Sequence, residues 1–279
     1  MTALLPDASM ALARVSALYR RNITMLGDRD VVVASHGGSG QSLIGNILFE
    51  LGLNYVDAYT EELHADGRAT VAPAHAGYRS HLASQHDKDR DAAGAVRLWP
   101  RFVKTHHPPA VFADATYAAV WLLVRDPRDA IYASYQWRAG FAEEQWDRVP
   151  GTFVEWLRGL GDFSPSPVDD WVAYYRAWQL RSTGPVLRFE DLKTRPVPVV
   201  VDALRPLGVD VTIDDVGRAV EASSFERMRR HEDRVADDRP RVIRSGRVEG
   251  WREWMTDELA AFFGGEDLRR LAAQCGYEL

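Results

Sequence analysis

The sequence has a single cysteine, Cys275, in 279 residues. One cysteine cannot close an internal disulfide, so a disulfide scaffold is excluded and a reducing compartment is expected. Such a residue near the C-terminus reads as a small apolar core residue. No apolar run approaches the ~20 residues that a membrane helix needs. The first 17 residues lack a basic region and are interrupted by Pro6 and Asp7, so no signal peptide is read there. A soluble, cytoplasmic protein is expected. Repeats and low-complexity tracts are absent. Positive charge is not in excess: the net charge is -6, so there is no global basic field to hold nucleic acid. What is there is ordinary globular composition, with 46% hydrophobic and 27% charged residues. The length fits one α/β domain, residues 1–279.

Periodicity supplies the elements. Helical spacing runs over residues 8–21, 43–53, 152–160, 169–181, 197–207, 213–222 and 266–275. Val31-Val32-Val33-Ala34 is a short, fully apolar run between a Gly-Asp turn and a glycine-rich loop, which suits a buried parallel strand. Further strands are expected at residues 101–105, 118–124 and 185–189. Asp126 caps a helix that Pro127 opens, with Asp129 in its first turn. Residues 57–97 are expected to be irregular or to form short helices. Strands alternating with helices imply a three-layer α/β domain: a parallel sheet of four or five strands with helices on both faces.

Three constellations carry chemistry. The loop after the first strand reads Ser35-His36-Gly37-Gly38-Ser39-Gly40-Gln41-Ser42. Glycines let backbone N–H groups converge, a helix N-terminus adds partial positive charge, and the hydroxyls add donors, which together make an anion cradle. The NTPase pattern G-x-x-x-x-G-K-[ST] is incomplete here, because Ser35 replaces its first glycine and Gln41 its lysine. Alone, the loop is equally a glycine-rich turn that binds nothing. Lys104 and His106 lie at the end of the second expected strand, where ligands of parallel sheets sit; one offers fixed charge, the other a base. His107 should point the other way. Arg125 ends the third expected strand, and Arg244-Ser245-Gly246-Arg247 suits a phosphate clamp as well as a solvated loop. Together they call for two phosphate groups on one nucleotide and a general base, with no evident metal site.

In this order the motifs resemble the cytosolic-type sulfotransferases, including bacterial small-molecule members, which use 3′-phosphoadenosine 5′-phosphosulfate (PAPS) and have a P-loop-like fold. The resemblance runs over residues 31–256. The family's loop Ser-Tyr-Pro-Lys-Ser-Gly-Thr-Thr-Trp is similar to residues 35–43, its Lys-Thr-His to Lys104-Thr105-His106, and its Arg-Asp-Pro-Arg-Asp to residues 125–129. Its Tyr-Glu-Asp-Leu resembles Phe189-Glu190-Asp191-Leu192, its Ser-Phe pair Ser224-Phe225 with a polar contact at Ser223, and its Arg-Lys-Gly…Trp Arg244-Ser245-Gly246…Trp251. The resemblance implies that Gly37, Gly38, Ser39, Gly40, Gln41 and Ser42 hold the 5′-phosphosulfate, that Arg125, Arg244, Ser245 and Gly246 hold the 3′-phosphate, and that Phe189, Ser223 and Phe225 lie near adenine. The chain departs from the family where Gly38 stands for a lysine, Leu43 for a tryptophan and Ser245 for a lysine. The family's 3′-phosphate serine falls on Ala133, and Ser134 follows it, rotated by ~100° on a helix.

The implied activity is metal-independent sulfuryl transfer from PAPS to a hydroxyl of a small-molecule acceptor, leaving adenosine 3′,5′-bisphosphate (PAP). His106 is the expected general base, and without a lysine at position 38 the catalytic charge is expected on Lys104. The alternatives are a kinase-like phosphotransferase, which needs Mg²⁺ and a lysine at position 41, and a non-catalytic nucleotide-binding protein. Residues 58–98 and 137–170 are expected to shape the acceptor pocket or a lid. They contain His64, His75, His81, His86, Tyr78, Trp137, Phe141, Trp146 and Phe153. Neither nucleic acid nor membrane is expected as a partner; the oligomeric state is open, a homodimer included.

Overall fold

The computed structural model describes residues 15–77, 80–82, 97–141, 149, 151–159, 166–235 and 241–279. Its centre is a parallel sheet of five strands in the order β2-β5-β1-β6-β7. These strands are β1 (Asp30–Ser35), β2 (Leu53–Val56), β5 (Arg97–Thr105), β6 (Ala119–Val124) and β7 (Val186–Arg188). A separate antiparallel pair, β3 (Glu61–Leu63) and β4 (Ala69–Val71), lies between β2 and β5 in the chain. Strands thus occupy part of the stretch expected to be irregular or helical. Four sheet strands were expected at nearly their observed places; β2 was not, because it follows Gly52 at once and is only four residues long.

Alternating residues of β1 enter two cores. Val32 and Ala34 pack with Ile131, Trp171, Tyr175 and Leu271, whereas Val31 and Val33 pack with Ile44, Leu48, Val200 and Val216. The period-2 alternation of a strand requires this when both faces are covered. One face carries α1 (Ala17–Ile23), α3 (Pro127–Phe141), α4 (Phe153–Leu157), α5 (Pro167–Gln179) and α11 (Glu266–Gln274). The other carries α2 (Gln41–Glu50), α6 (Phe189–Thr194), α7 (Pro196–Leu204), α8 (Ile213–Ala222) and α9 (Phe225–Val235). A short α10 (Asp257–Phe262) precedes α11. The start of the first expected helix and the end of the 152–160 helix lie outside the described residues. No described helix is long and apolar enough to cross a membrane.

At the amino end of the sheet, Asp30 and Arg101 are register partners and form a fully buried ion pair. Arg101 Nε donates to Asp30 Oδ1 (2.6 Å) and its Nη2 to Oδ2 (3.0 Å), while Nη1 donates to the His64 carbonyl (2.8 Å). The guanidinium thereby anchors the β3–β4 hairpin to the sheet. Removing one partner strands a buried charge, which costs about 3–5 kcal/mol, whereas apolar replacement of both does not. Asp30→Ala should therefore lower unfolding free energy by that amount in urea titrations. The double variant Asp30→Leu with Arg101→Met should recover most of the loss.

Candidate active site

The carboxyl ends of β2, β5, β1 and β6 lie side by side, and each delivers a polar group to the same edge. The 36–40 loop leaves β1 at Ser35 and enters α2 at Gln41. Gly40, at φ 103°, stands at the N-cap without a side-chain cap, so the first N–H groups of α2 are left for an anion. Gly38 has φ 81°, in the left-handed region. A Cβ at Gly38 would lie 2.5 Å from the Ala130 carbonyl oxygen and 2.9 Å from Ala133 Cβ; one at Gly40 would lie 2.7 Å from the Phe189 ring. No side chain fits at position 38 unless α3 moves. The missing lysine is therefore an occupied space, filled by the backbone of α3. Ser134 sits beside the loop as well, its Oγ 3.1 Å from where a Gly37 Cβ would be.

A tyrosine that sequence reasoning did not single out clamps the loop. Tyr175 Oη donates to the Leu123 carbonyl (2.7 Å) and so accepts from Ser39 Oγ (3.1 Å) and from the His36 backbone N–H (3.3 Å). The Gln41 side chain also points inward: Nε2 donates to the Val33 carbonyl (2.6 Å), and Tyr55 donates to Oε1 (3.0 Å). The side chains of Ser39 and Gln41 thus hold the loop to α5 and the sheet.

At the end of β5, His106 Nδ1 lies 2.9 Å from the Ser35 carbonyl oxygen. A carbonyl only accepts, so Nδ1 carries the proton and Nε2 keeps its lone pair. The backbone N–H of His106 donates to Tyr59 Oη (2.8 Å). Burial, and then the charge of Lys104, push the His106 pKa down to about 3, which keeps the ring neutral. Lys104 is not a lone cation. Its Nζ donates to Asp57 Oδ2 at 2.8 Å, at the end of β2. Burial pushes the Asp57 carboxyl up, but the charge and hydrogen bond of Lys104 outweigh this and hold it below its ordinary value. His81 completes the group: its Nε2 is 2.8 Å from Ser42 Oγ and its buried Nδ1 has no partner. Burial followed by Lys104 lowers its pKa to about 3 as well. His107 faces Tyr19 and Tyr59 in the aromatic core.

Arg125 follows β6 and reaches over the loop. Its Nη1 donates to the Gly38 carbonyl (3.0 Å), its Nη2 donates to the Arg247 carbonyl (3.0 Å) and lies 3.4 Å from Asp129, and its buried Nε has no partner. The guanidinium stacks on Phe189 at 4.4 Å. Arg244 Nη2 donates to the Ala133 carbonyl (2.7 Å), and burial, followed by the charge of Arg125, lowers its pKa. Two guanidiniums thus approach each other above α3 and Ser134. Gly246 packs on Phe225, where a Cβ would lie 3.0 Å from the ring, while Ser245 is exposed. Ser223 is buried and accepts from Asn46 Nδ2 (2.9 Å), so its hydroxyl ties α8 to α2. Phe189 lies wedged between Gly40 and Arg125, a support rather than a free face.

The structure brings together the loop, Lys104, His106, Arg125, Ser134 and Arg244. It separates His64, whose carbonyl serves Arg101 at the far end of the sheet, and buries Phe153 against Tyr132 and Trp254. Tyr78, His86, Trp146 and the Phe141 side chain lie outside the described residues. Asp57, Tyr59, Tyr175 and Asp170 were not singled out, although Tyr59 and Asp170 fall within the expected 58–98 and 137–170 segments; Asp57 follows β2, which was not read.

The lowered histidines give the fold a pH signature. His81 and His106 hold folded values of about 3 against an ordinary 6.5. Between these values the unfolded chain binds protons that the folded chain does not, so stability is complete above pH ~6.5 and is lost as pH falls toward ~3. Urea midpoints should drop over that window, and His81→Asn or His106→Asn should flatten the drop.

A family model described as a sulfotransferase domain matches residues 28–265. Among curated relatives, rat sulfotransferase 2A6 is 28% identical over 138 residues, 47% of this chain and 46% of that protein. Rat sulfotransferase 2A2 is 28% identical over 134 residues, 46% of this chain and 45% of that protein. The chain thus matches less than half the length of these relatives. Similar solved structures are mouse sulfotransferase SULT7A1 with PAP (TM-score 0.59, 15% identity, 92% of this chain and 94% of that one) and retinol dehydratase with retinol and PAP (TM-score 0.57, 18% identity, 95% and 85%). With the family model spanning most of its length, the chain belongs to the sulfotransferase domain family.

Proposed function

We propose that this site transfers a sulfuryl group from PAPS to a hydroxyl of a small-molecule acceptor. One observation carries the reading: a glycine-built anion loop, a second cationic seat formed by Arg125 and Arg244, and a neutral histidine with an available Nε2 share one sheet edge. The two anion seats suit the two phosphate-bearing ends of a 3′,5′-substituted adenosine. The buried, unpartnered Arg125 Nε is a donor that fits an incoming oxygen. The N–H groups at the start of α2 receive the phosphosulfate end, and Arg125, Arg244 and Ser134 receive the 3′-phosphate. Both kinds of contact are charge-assisted.

In the transfer, His106 Nε2 takes the acceptor's proton as its oxygen forms a bond to sulfur. The bond from sulfur to the donor's phosphate oxygen breaks, and its electrons stay on the departing phosphate. The Ser35 carbonyl fixes the ring so that Nε2 faces the reacting hydroxyl. Lys104, paired to Asp57 and set over the Tyr59 ring, aligns the acceptor beside His106. The acceptor pocket is built from the 58–98 and 137–170 segments around Tyr59 and His81. Neighbouring structures bind retinol in one case and androsterone in another, both small alcohols. A single domain and a cytoplasmic location complete the proposal; the oligomeric state stays open, a homodimer included.

Titration calorimetry with PAP and with ATP tests the donor. PAP should bind and ATP should bind more weakly, because only PAP fills the Arg125–Arg244 seat. Equal affinity for ATP would favour the phosphotransferase alternative. Arg125→Ala and Arg244→Ala should each weaken PAP binding by about 1.5–3 kcal/mol, the worth of a hydrogen bond to a charged group. His106→Ala should leave PAP affinity unchanged and lower kcat by ~10²–10⁴. Turnover of a labelled donor across a panel of phenols, alcohols and sugars would also separate an enzyme from a non-catalytic binder.

A further inference from the structure

The loop contains no lysine or arginine: residues 35–42 read Ser-His-Gly-Gly-Ser-Gly-Gln-Ser. Gly38 has no room for a side chain, and Lys104 shares its charge with a carboxylate as buried as itself: the side chains of Lys104 and Asp57 are 17% and 11% exposed. His36 is the one residue within the loop able to carry a positive charge, and it is buried. Its Nδ1 lies 3.2 Å from the Gly37 carbonyl oxygen and its Nε2 3.2 Å from Asp170 Oδ2. A carbonyl and an ionised carboxylate only accept hydrogen bonds. A neutral imidazole has one N–H and can satisfy only one of them, leaving a nitrogen lone pair against an oxygen lone pair. Both contacts are hydrogen bonds only when both nitrogens are protonated. His106 differs, since its Nδ1 faces a carbonyl while its neutral form is favoured by burial.

We propose that His36 is held as an imidazolium by Asp170 and the Gly37 carbonyl, and supplies the loop's own positive charge against the negative charge that grows on the donor's departing phosphate. The role rests on the reading of the donor given above. The two ion pairs of the site differ in a way that matters here. The His36 side chain is 9% exposed but that of Asp170 is 56% exposed, so water screens the carboxylate and not the ring. The pair therefore leaves net positive potential inside the loop, whereas Lys104 and Asp57 largely cancel within a shared dry site. The groups facing His36 come from two elements. Helix α5 contributes Asp170, the edge-on Tyr174 ring at 6.0 Å and the Tyr175 hydroxyl on the backbone N–H. From the end of β5, His106 feels the charge of His36 as one of the influences that lower its pKa. Asp170 acts through His36 and is a positioning residue.

Side-chain ¹⁵N NMR of the full chain at pH 7 tests the charge directly. His36 should show two protonated ring nitrogens while His106 shows one, and Asp170→Asn should return His36 toward the neutral form. In kinetics, His36→Gln should lower kcat by ~10²-fold with a smaller change in KM for PAPS. A neutral His36 ring in the wild type at pH 7, or wild-type kcat in His36→Gln, overturns the proposal. If His36→Gln does not fold, the Asp170→Asn spectrum decides in its place. Failure of the wild type to bind PAP sinks the donor reading and the catalytic role with it, while the spectrum still reports the ring's charge; PAP binding with a neutral ring sinks only the role of His36.

Discussion

Helix α3 lies against the phosphate loop at a distance that only glycine permits, with the Ala130 carbonyl oxygen 2.5 Å from where a Gly38 Cβ would be. Most of the donor side of the site hangs on that approach. It brings the Gly38 carbonyl within 3.0 Å of Arg125, which sits just ahead of the helix, and puts Ser134 against Gly37. One turn along, the Ala133 carbonyl takes Arg244 from a chain segment 111 residues away. On the opposite side, Tyr175 holds the loop to the end of β6 through Leu123, and Phe189 closes it beneath Gly40. The loop is thus fixed by packing on every side before any ligand arrives. Such preorganisation limits the ordering cost that binding must offset.

The same packing explains how two guanidiniums tolerate each other. Burial and mutual repulsion both oppose the charge of Arg244, yet each arginine is held by a backbone carbonyl: Arg125 by those of Gly38 and Arg247, Arg244 by that of Ala133. Phe189 adds the face of a ring beneath Arg125. A dianion placed between them relieves the repulsion and meets the Nε that has no partner. Under the proposed donor reading, a second phosphate on the nucleotide is the group that would fill this place.

What the sequence disclosed was the type and order of the groups, and what it hid was their direction. Val31 to Ala34, the glycines, Lys104, His106 and Arg125 were legible because strand ends and turn residues leave local patterns. Gln41 and Ser39 were read as ligand contacts, but their side chains turn to Val33 and Tyr175. Nothing local distinguishes a serine facing a phosphate from one facing a tyrosine 136 positions later. Asp57 was missed because β2 is short and its alternation is hidden by burial on both faces. The Asp30–Arg101 pair was missed because it joins residues 71 positions apart in a register that only the folded sheet defines. Gly38 was read as a deficit, whereas in the fold it is what admits α3.

The charges of the candidate site are each paired with an internal acceptor. Lys104 rests on Asp57, Arg125 on Gly38 and Arg247, Arg244 on Ala133, and His36 on Asp170. A buried cation without a partner costs far more than one that is hydrogen-bonded, so the fold must supply internal acceptors. Most of these acceptors are neutral carbonyls, which a phosphate can replace with stronger, charge-assisted bonds. Lys104, His36 and, at 3.4 Å, Arg125 also face carboxylates, and those of Asp57 and Asp129 are buried. Lys104 and Asp57, with Tyr59 and His81 beside them, form a wall next to His106.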